Sequence, residues 1–490
     1  MSDIAVKSAT TAASKENLSE DWLAVVIGVL VFALALFSLS GRDLLGWAVT
    51  TSVYTDITAA LAPVAKAYAG LGGVGALLAT YAALLVVLSA GVAALGADVK
   101  KFAIAFTVVF AIAYASWVVG SYAHIAAVTP AEQQKFGISW SLKLTNEGGF
   151  VVALLSGLVI ANLFPRFAEW LKEAIRPELY IKIAIVILGA TVAVTAAGRL
   201  NLASSILLRG VAAIIEAYLI YWSVVYFVAR KWFGFSREWS VPLASGISIC
   251  GVAAAIATGG AIRARPAVPV LVSSLVVVFA VVEVLILPFL AQAFLWQEPL
   301  VAGAWMGLAV KTDGAAVAAG GITESLILAK AAAEGVKYQP GWILATTATV
   351  KVFIDIFIGV WAFILGYIWT NHIDKRADKA KAGEIWERFP KFILGFVGVF
   401  AISLWLALGT TPDIARALPA AAGEANVFRV IFFILTFFSI GVLSDFRKLW
   451  QDGFGKLAVV YLVSLFGFVI WVGLLISWLF FAGFKPPLAS

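Results

Sequence analysis

Apolar runs of membrane-spanning length recur along almost the whole chain, divided by short polar and charged segments. A helix needs about 20 predominantly apolar residues to cross the ~30 Å hydrocarbon core of a bilayer. On that window, spans fall at Trp22–Leu39, Gly73–Leu95, Phe102–Tyr122, Gly148–Phe164, Ile181–Ala197, Ser205–Ala229, Ser240–Ile262, Val268–Leu290, Leu300–Ala329, Trp342–Trp369, Phe392–Leu408, Phe428–Leu443 and Leu457–Phe481. The pattern predicts an all-α fold, a polytopic transmembrane helical bundle of about 11–13 spans. Between the runs, Gly41–Gly72 is mixed and contains Pro63, and reads as an external loop with a surface helix. Pro165–Pro177 is amphipathic and basic and is expected to lie flat on the inner surface.

Two runs are interrupted by residues that do not suit hydrocarbon. In lipid every backbone polar group must be paired within the protein, so irregular or polar backbone survives at that depth only inside protein or beside a water-filled cavity. The first interruption is Ser245-Gly-Ile-Ser-Ile-Cys-Gly251, continuing to Thr258, Gly259 and Gly260. Its glycines weaken the helix by ~1 kcal/mol each against alanine. A helix broken there would expose free N–H groups at the start of its second half, which bind anions without a positive side chain. Close packing of small residues explains the same composition. The second interruption is Val310-Lys-Thr-Asp-Gly314. Lys311 and Asp313 are two apart and would point to opposite sides of an unbroken helix, and Thr-Asp-Gly is turn chemistry. An intramembrane charge marks function by default; the plainer reading is a structural Lys311–Asp313 pair holding the break closed.

Further charges lie within runs. Lys351 and Asp355 are spaced i, i+4 and can neutralise each other; alternatively Lys351 faces Asp313, or Asp355 faces Lys311. Glu283 has no local partner and is a candidate protonatable group. Glu216 reaches Arg209 only through water or another helix. Arg429, at a span end, is expected to snorkel.

Composition agrees with the pattern. The chain is 62% hydrophobic and 13% charged, with mean hydropathy +0.99 and 18 tryptophans, a residue that gathers at membrane interfaces. With the N-terminus inside and every run crossing, the inside loops hold twenty basic residues and the outside loops eleven. That bias obeys the positive-inside rule and accounts for the net charge of +7 without a nucleic-acid partner. One cysteine excludes an intrachain disulfide, and with two histidines leaves no basis for a zinc, haem or iron–sulfur site. Neither a metal nor another cofactor is expected. Cys250 has apolar neighbours and reads as a small packing residue. There is no HExxH, no GxSxG around Ser248 and no P-loop, so neither an enzyme nor a primary pump is expected. A weak internal echo is also present. Ile185–Ala197 with the Ser205 span resembles Ile434–Leu443 with the Leu457 span, as inverted repeats leave behind.

At the interruptions the chain resembles a known family. Gly246-Ile-Ser-Ile-Cys-Gly251 resembles the Gly-Thr-Ser-Ile-Cys-Gly signature of the YeiH-type sulfate exporters, a prokaryotic membrane family without an established activity. Trp305-x-Gly307 through Val317-Ala-Ala-Gly320 is similar to its second signature, and Gly157-Leu-Val-Ile-Ala-Asn162, Ile185-Val-Ile-Leu-Gly189 and the Lys351 span resemble other blocks. Departures fall at the breaks: Lys311-Thr312 stands where the family often has His-Glu, Ala315 where it has glutamine, Ile247 for threonine and Ala253 for serine. The resemblance implies a multi-pass transporter of the cytoplasmic membrane, distantly similar to sodium/proton antiporters and bile-acid symporters, with inverted repeats, broken crossing helices and alternating access.

The expected organisation is a disordered cytoplasmic tail (1–21), added N-terminal spans with the external loop (22–147), a core with both broken helices (148–371), a charged cytoplasmic linker (372–391) and closing C-terminal spans (392–490). The expected activity is secondary transport of a small anion (sulfate, sulfonate or carboxylate), with a cation/proton antiporter and an anion channel as alternatives. Ser245, Gly246, Ser248, Cys250, Gly251, Lys311 and Thr312 would hold the anion; Asp313, Glu283, Lys351 and Asp355 would serve the coupling proton or sodium ion. A homodimer in the lipid bilayer is compatible with this reading.

Overall fold

The computed structural model describes residues 19–489 apart from 128–129, 143–147, 199, 266, 374–385, 387–389 and 446–454. Most of the expected N-terminal tail (1–18) and most of the charged linker therefore lie outside the described residues; the end of that tail is ordered instead, Glu20 and Asp21 opening the first helix behind the Ser19 cap, because both carboxylates find basic partners. Among the described residues the fold is helical, save for a small antiparallel ribbon, β1 (Val49–Thr51) with β2 (Leu61–Pro63), in the loop after the first span.

In chain order the helices are α1 (Glu20–Leu36), α2 (Gly72–Ala94), α3 (Val99–Gly120), α4 (Gly148–Leu163), the short α5 (Pro165–Leu171), α6 (Pro177–Ala197) and α7 (Leu200–Trp232). Then come α8 (Arg237–Ser248), α9 (Gly251–Ala261), α10 (Ala267–Leu295), α11 (Pro299–Ala309) and α12 (Asp313–Ala333). The last are α13 (Trp342–Ile373), α14 (Phe392–Gly409), α15 (Pro412–Leu443) and α16 (Gly455–Phe481). Among the described residues 11 helices are long and apolar enough to cross a membrane, or up to 12 with α4 and its bent continuation. That continuation turns by 118° after Leu163, at the proline-led segment expected on the surface.

α4, α6, α14 and α15 pack through glycine contacts. A Cβ on Gly157 would lie 2.3 Å from Phe438 O, and one on Gly441 2.3 Å from Leu154 O. Only glycine lets these two backbones approach so closely, which is how helices associate where lipid supplies no hydrophobic drive between them. α1 closes against α6 through Arg176–Glu20 at 2.7 Å and Lys182–Asp21 at 2.9 Å, and Asp21 also accepts Lys391 N. These contacts define one face of the bundle, here called the basic face. Asn162 Nδ2 to Ser444 O, and Lys456 over the Phe235 ring, extend it.

The two interrupted runs fold differently from the crossing helices expected. Arg265, after α9, donates through N and Nε to Glu238 at the start of α8, at 2.7 and 3.0 Å. Two end-to-end helices over this length would hold these residues ~35 Å or more apart. α8 and α9 therefore form a hairpin that enters from the basic face and returns to it. α10, 29 residues long, then runs to the far face. There Glu298, before α11, accepts Gly483 N, while Gln339 N, after α12, donates to Pro487 O and Ala489 N to Lys337 O. Lys330 late in α12 lies over the Trp296 ring before α11. α11 and α12 are thus a second hairpin, entering from the opposite face. α12 has the length and composition of a span but begins at the hairpin tip.

Hydropathy cannot separate a crossing from a hairpin of equal length. The first hairpin brings Arg263 and Arg265 back to the basic face, and the loop count along the sequence becomes twenty-two basic residues against nine. Exchanging two crossings for two hairpins leaves the C-terminal side as expected. Cysteine labelling tests this arrangement. Arg265→Cys should react with an impermeant maleimide from the same side as Lys172→Cys, and Lys485→Cys from the other; these side chains are 70%, 55% and 46% exposed. Labelling of Arg265→Cys from the Lys485 side would exclude the first hairpin.

The faint sequence echo has a structural counterpart. α6 then α7 runs from the basic face to the far face and back, and α15 then α16 runs the opposite way. Both α7 and α16 contain a π-helical segment, Glu216–Tyr221 and Leu465–Val469. Tyr221 Oη donates to Val469 O at 2.8 Å, joining the two wide turns. Such turns often sit at functional sites.

Candidate functional site

The hairpin tips meet beside the middle of α10. In the first, Ile249 leaves the helix, Cys250 is extended (φ −133, ψ 110), and α9 starts at Gly251. In the second, Val310 and Thr312 are extended (ψ 126 and 148) and α12 starts at Asp313. Thr-Asp-Gly, expected as a turn, is here a helix start: Thr312 Oγ1 caps Ala315 N at 3.2 Å, and Asp313 stands in the first turn, where a carboxylate suits the helix dipole. Gly251 N donates to Lys311 O at 2.5 Å, joining the tips. A Cβ on Gly251 would lie 2.1 Å from Val276 Cγ1, so the approach requires glycine.

Charged side chains from four elements converge on this junction. Lys351 of α13 donates to Ile249 O at 3.0 Å and pairs with Asp313 at 3.7 Å, so one ammonium spans both tips. Of the pairings open in the sequence, Lys351 with Asp313 is formed. Cys250 Sγ lies 2.7 Å from Asp313 Oδ1, so the cysteine, read as packing from its chain neighbours yet also counted among the anion-site residues, is a polar partner of the junction. Asp355 joins them, one ligand-type atom from each of Cys250, Asp313 and Asp355 lying within 4.8 Å of the others. Lys311 N donates to Glu283 Oε2 at 3.1 Å, while its ammonium bonds Leu308 O and sits 4.5 Å above the Tyr221 ring. Each lysine thus bonds a carbonyl at a broken helix end, where a cation offsets the negative pole. Ser248 Oγ is buried with no partner among the described residues.

Several expected residues take structural roles. Ser245 Oγ accepts Trp222 Nε1 at 3.0 Å and donates to Val241 O, away from the tips. A Cβ on Gly246 would lie 2.9 Å from Val272 Cγ1, so this glycine serves close packing against α10. Arg209 turns to Phe480 O and the Phe484 ring, and has no part in pairing Glu216. Glu216 is the site residue that local spacing does not find. It is fully buried and lies within electrostatic reach of Lys311, a relation between α7 and the second hairpin that sequence distance conceals. Tyr221 is equally hidden. At the basic face, hydrogen bonds from Arg265 hold the Glu238 carboxyl below its usual range.

A narrow cleft of about 20 Å³, enough for one water, lies beside the second tip, between Pro177 and Glu178 at the start of α6 and Thr312 and Gly314. Fold and site together define a multi-pass helical membrane protein with a buried, charged junction between opposed hairpins.

The family described as conserved hypothetical protein 698 matches residues 136–460, a stretch that holds both hairpins. A UPF0324 membrane protein of Nitrosomonas europaea is 40% identical over 474 residues, 96% of this chain and 97% of that protein. A UPF0324 membrane protein of Rhodopirellula baltica is 32% identical over 63% of this chain and 53% of its own length. An uncharacterized protein of Archaeoglobus fulgidus is 48% identical over 167 residues, 30% of this chain and 89% of its own. The chain belongs to the UPF0324 membrane protein family, in agreement with the YeiH-type motifs. No solved structure matches it.

Proposed function

We propose that the protein is a secondary active transporter that moves a small anion across the cytoplasmic membrane, coupled to protons or sodium ions. One observation carries this reading. Two hairpins enter from opposite faces and touch at a buried cluster of charges. A site between such tips can be exposed to either side in turn by displacing one hairpin, which is what alternating access needs. The starts of α9 and α12 meet at the junction and bring positive helix poles to it, and two ammoniums stand beside them. Sulfate, a sulfonate or a carboxylate fits that chemistry. The basic face is the cytoplasmic one on this reading, and the N-terminus lies inside.

A cation/proton antiporter is the second reading, favoured by four buried carboxyl side chains, Glu216, Glu283, Asp313 and Asp355, against two lysines. Uptake of radiolabelled sulfate into proteoliposomes under imposed proton or sodium gradients separates the two. Saturable, gradient-driven uptake that is lost in Lys311→Ala is expected. Sodium or proton flux indifferent to every anion tried would establish the antiporter instead.

A further inference from the structure

Building on the transporter reading, we infer that the junction contains two separate proton-binding triads, Glu216–Lys311–Glu283 and Asp313–Lys351–Asp355, each holding one proton in the resting protein.

The grouping follows from placement. Lys311 sits between α7 and α10, bonded through its amide to Glu283 Oε2, above the Tyr221 ring, and within electrostatic reach of Glu216. Lys351, on α13, reaches between the two hairpin tips, bonded to Ile249 O and paired with Asp313. Each triad therefore has one ammonium and two carboxyl groups. All six side chains are between 0% and 4% exposed. If every group were ionised, each triad would keep one uncompensated negative charge without water to solvate it, which a buried site does not sustain. One proton per triad restores neutrality.

The free oxygens indicate where the protons sit. Both carboxyl oxygens of Glu216, Oε1 of Glu283 and Oδ1 of Asp355 are buried without a donor among the described residues; the Tyr221 hydroxyl beside Glu216 gives its one proton to Val469 O. Glu283 already accepts the Lys311 amide, and Asp313 faces both the Cys250 thiol and the Lys351 ammonium. The carboxylates with these donors are the charged members, so the protons fall on Glu216 and Asp355. The other titratable groups at the junction, among the described residues, are Tyr218, Tyr221, Tyr461 and Cys250, with Glu178 beside the cleft; none supplies a further cation.

The consequence is a stoichiometry. The second hairpin carries Lys311 for one triad and Asp313 for the other, while Glu216, Glu283, Lys351 and Asp355 belong to α7, α10 and α13. Displacing that one hairpin opens both triads together. Both protons are released to one side and taken up from the other in the same cycle, giving two protons per anion.

Infrared difference spectroscopy of the full chain in lipid vesicles, in H2O and D2O, reads protonated carboxyl groups through their C=O stretch. At neutral pH, Glu216→Gln should lose one such band and Asp355→Asn a different one. Both substitutions mimic the protonated form, and an unchanged melting temperature identifies the folded variants. If neither variant loses a band, or both lose the same one, the two-triad assignment is overturned. In proteoliposomes, the pH gradient at which net sulfate flux reverses against a fixed sulfate gradient should give two protons per anion in the wild type and one in either variant; one in the wild type would also overturn it. Separate bands without any transport would leave the triads standing and remove the transporter reading. Transport with no protonated carboxyl band would remove the triads alone.

Discussion

Lys351→Met is expected to destabilise the protein by about 3–5 kcal/mol, the cost of removing one partner from a buried ion pair. Lys351 is 2% exposed, holds Ile249 O at the first tip and faces Asp313 at the second. Methionine fills a similar volume but leaves Asp313 without its counter-charge and Ile249 O without its donor. Most of the effect should come from the stranded carboxylate, since an uncompensated buried charge costs more than the pair contributes. Lys351→Met with Asp313→Asn should therefore recover much of the loss, although the single substitutions are each disruptive, because contacting residues are not additive. Unfolding in detergent, followed by tryptophan fluorescence, measures the cycle. A single variant as stable as wild type would show that Lys351 does not join the hairpins, and the junction described above would not stand.

Gly251→Val is the second large effect, and it acts by shape alone. A Cβ there would lie 2.1 Å from Val276 Cγ1, 3.0 Å from Val276 Cβ and 3.2 Å from Lys311 O. α10 on one side and the second tip on the other leave no room for a side chain. Overpacking of this kind typically costs about 1–3 kcal/mol, and the strain falls on the bond from Gly251 N to Lys311 O. Lifting the first tip should expose Cys250, the single cysteine, which is 3% exposed in the intact junction. Maleimide should then label Cys250 faster in Gly251→Val than in wild type, and Val276→Ala should reverse part of the gain. Gly260 is the control, for it lies in the same helix with nothing within 4 Å. Gly260→Ala should leave labelling unchanged and favour the helix by up to ~1 kcal/mol. Equal labelling in both glycine variants would sink the account of a closed tip.

Much of the site is legible along the chain because lipid makes polarity conspicuous. Lys311, Asp313, Lys351, Asp355, Glu216 and Glu283 all stand within apolar runs, and all six are buried. Their partners are not legible. Lys351 has Asp355 one turn away, yet its ion pair is with Asp313, because the second hairpin delivers that residue across space. Glu216 has Arg209 in its own helix, but Arg209 binds Phe480 O at the far face. Cys250 reads as a spacer because its chain neighbours are apolar; its polar contact is sixty-three residues away.

A helical membrane protein, its apolar runs, the two breaks and the excess of basic residues on one side can all be read from the chain alone. They follow from transfer free energies summed over about 20 residues, which depend on composition and not on partners. That each break is a hairpin tip emerges only from the folded contacts. The return of Arg265 to Glu238, and of both ends of the second hairpin to residues 483–489, joins distant positions. Hydropathy measures depth in the bilayer and carries no direction, so a run that crosses and a run that turns back read alike. The direction is set by which backbones can touch, and at the centre that rests on Gly251 accepting no side chain between Val276 and Lys311.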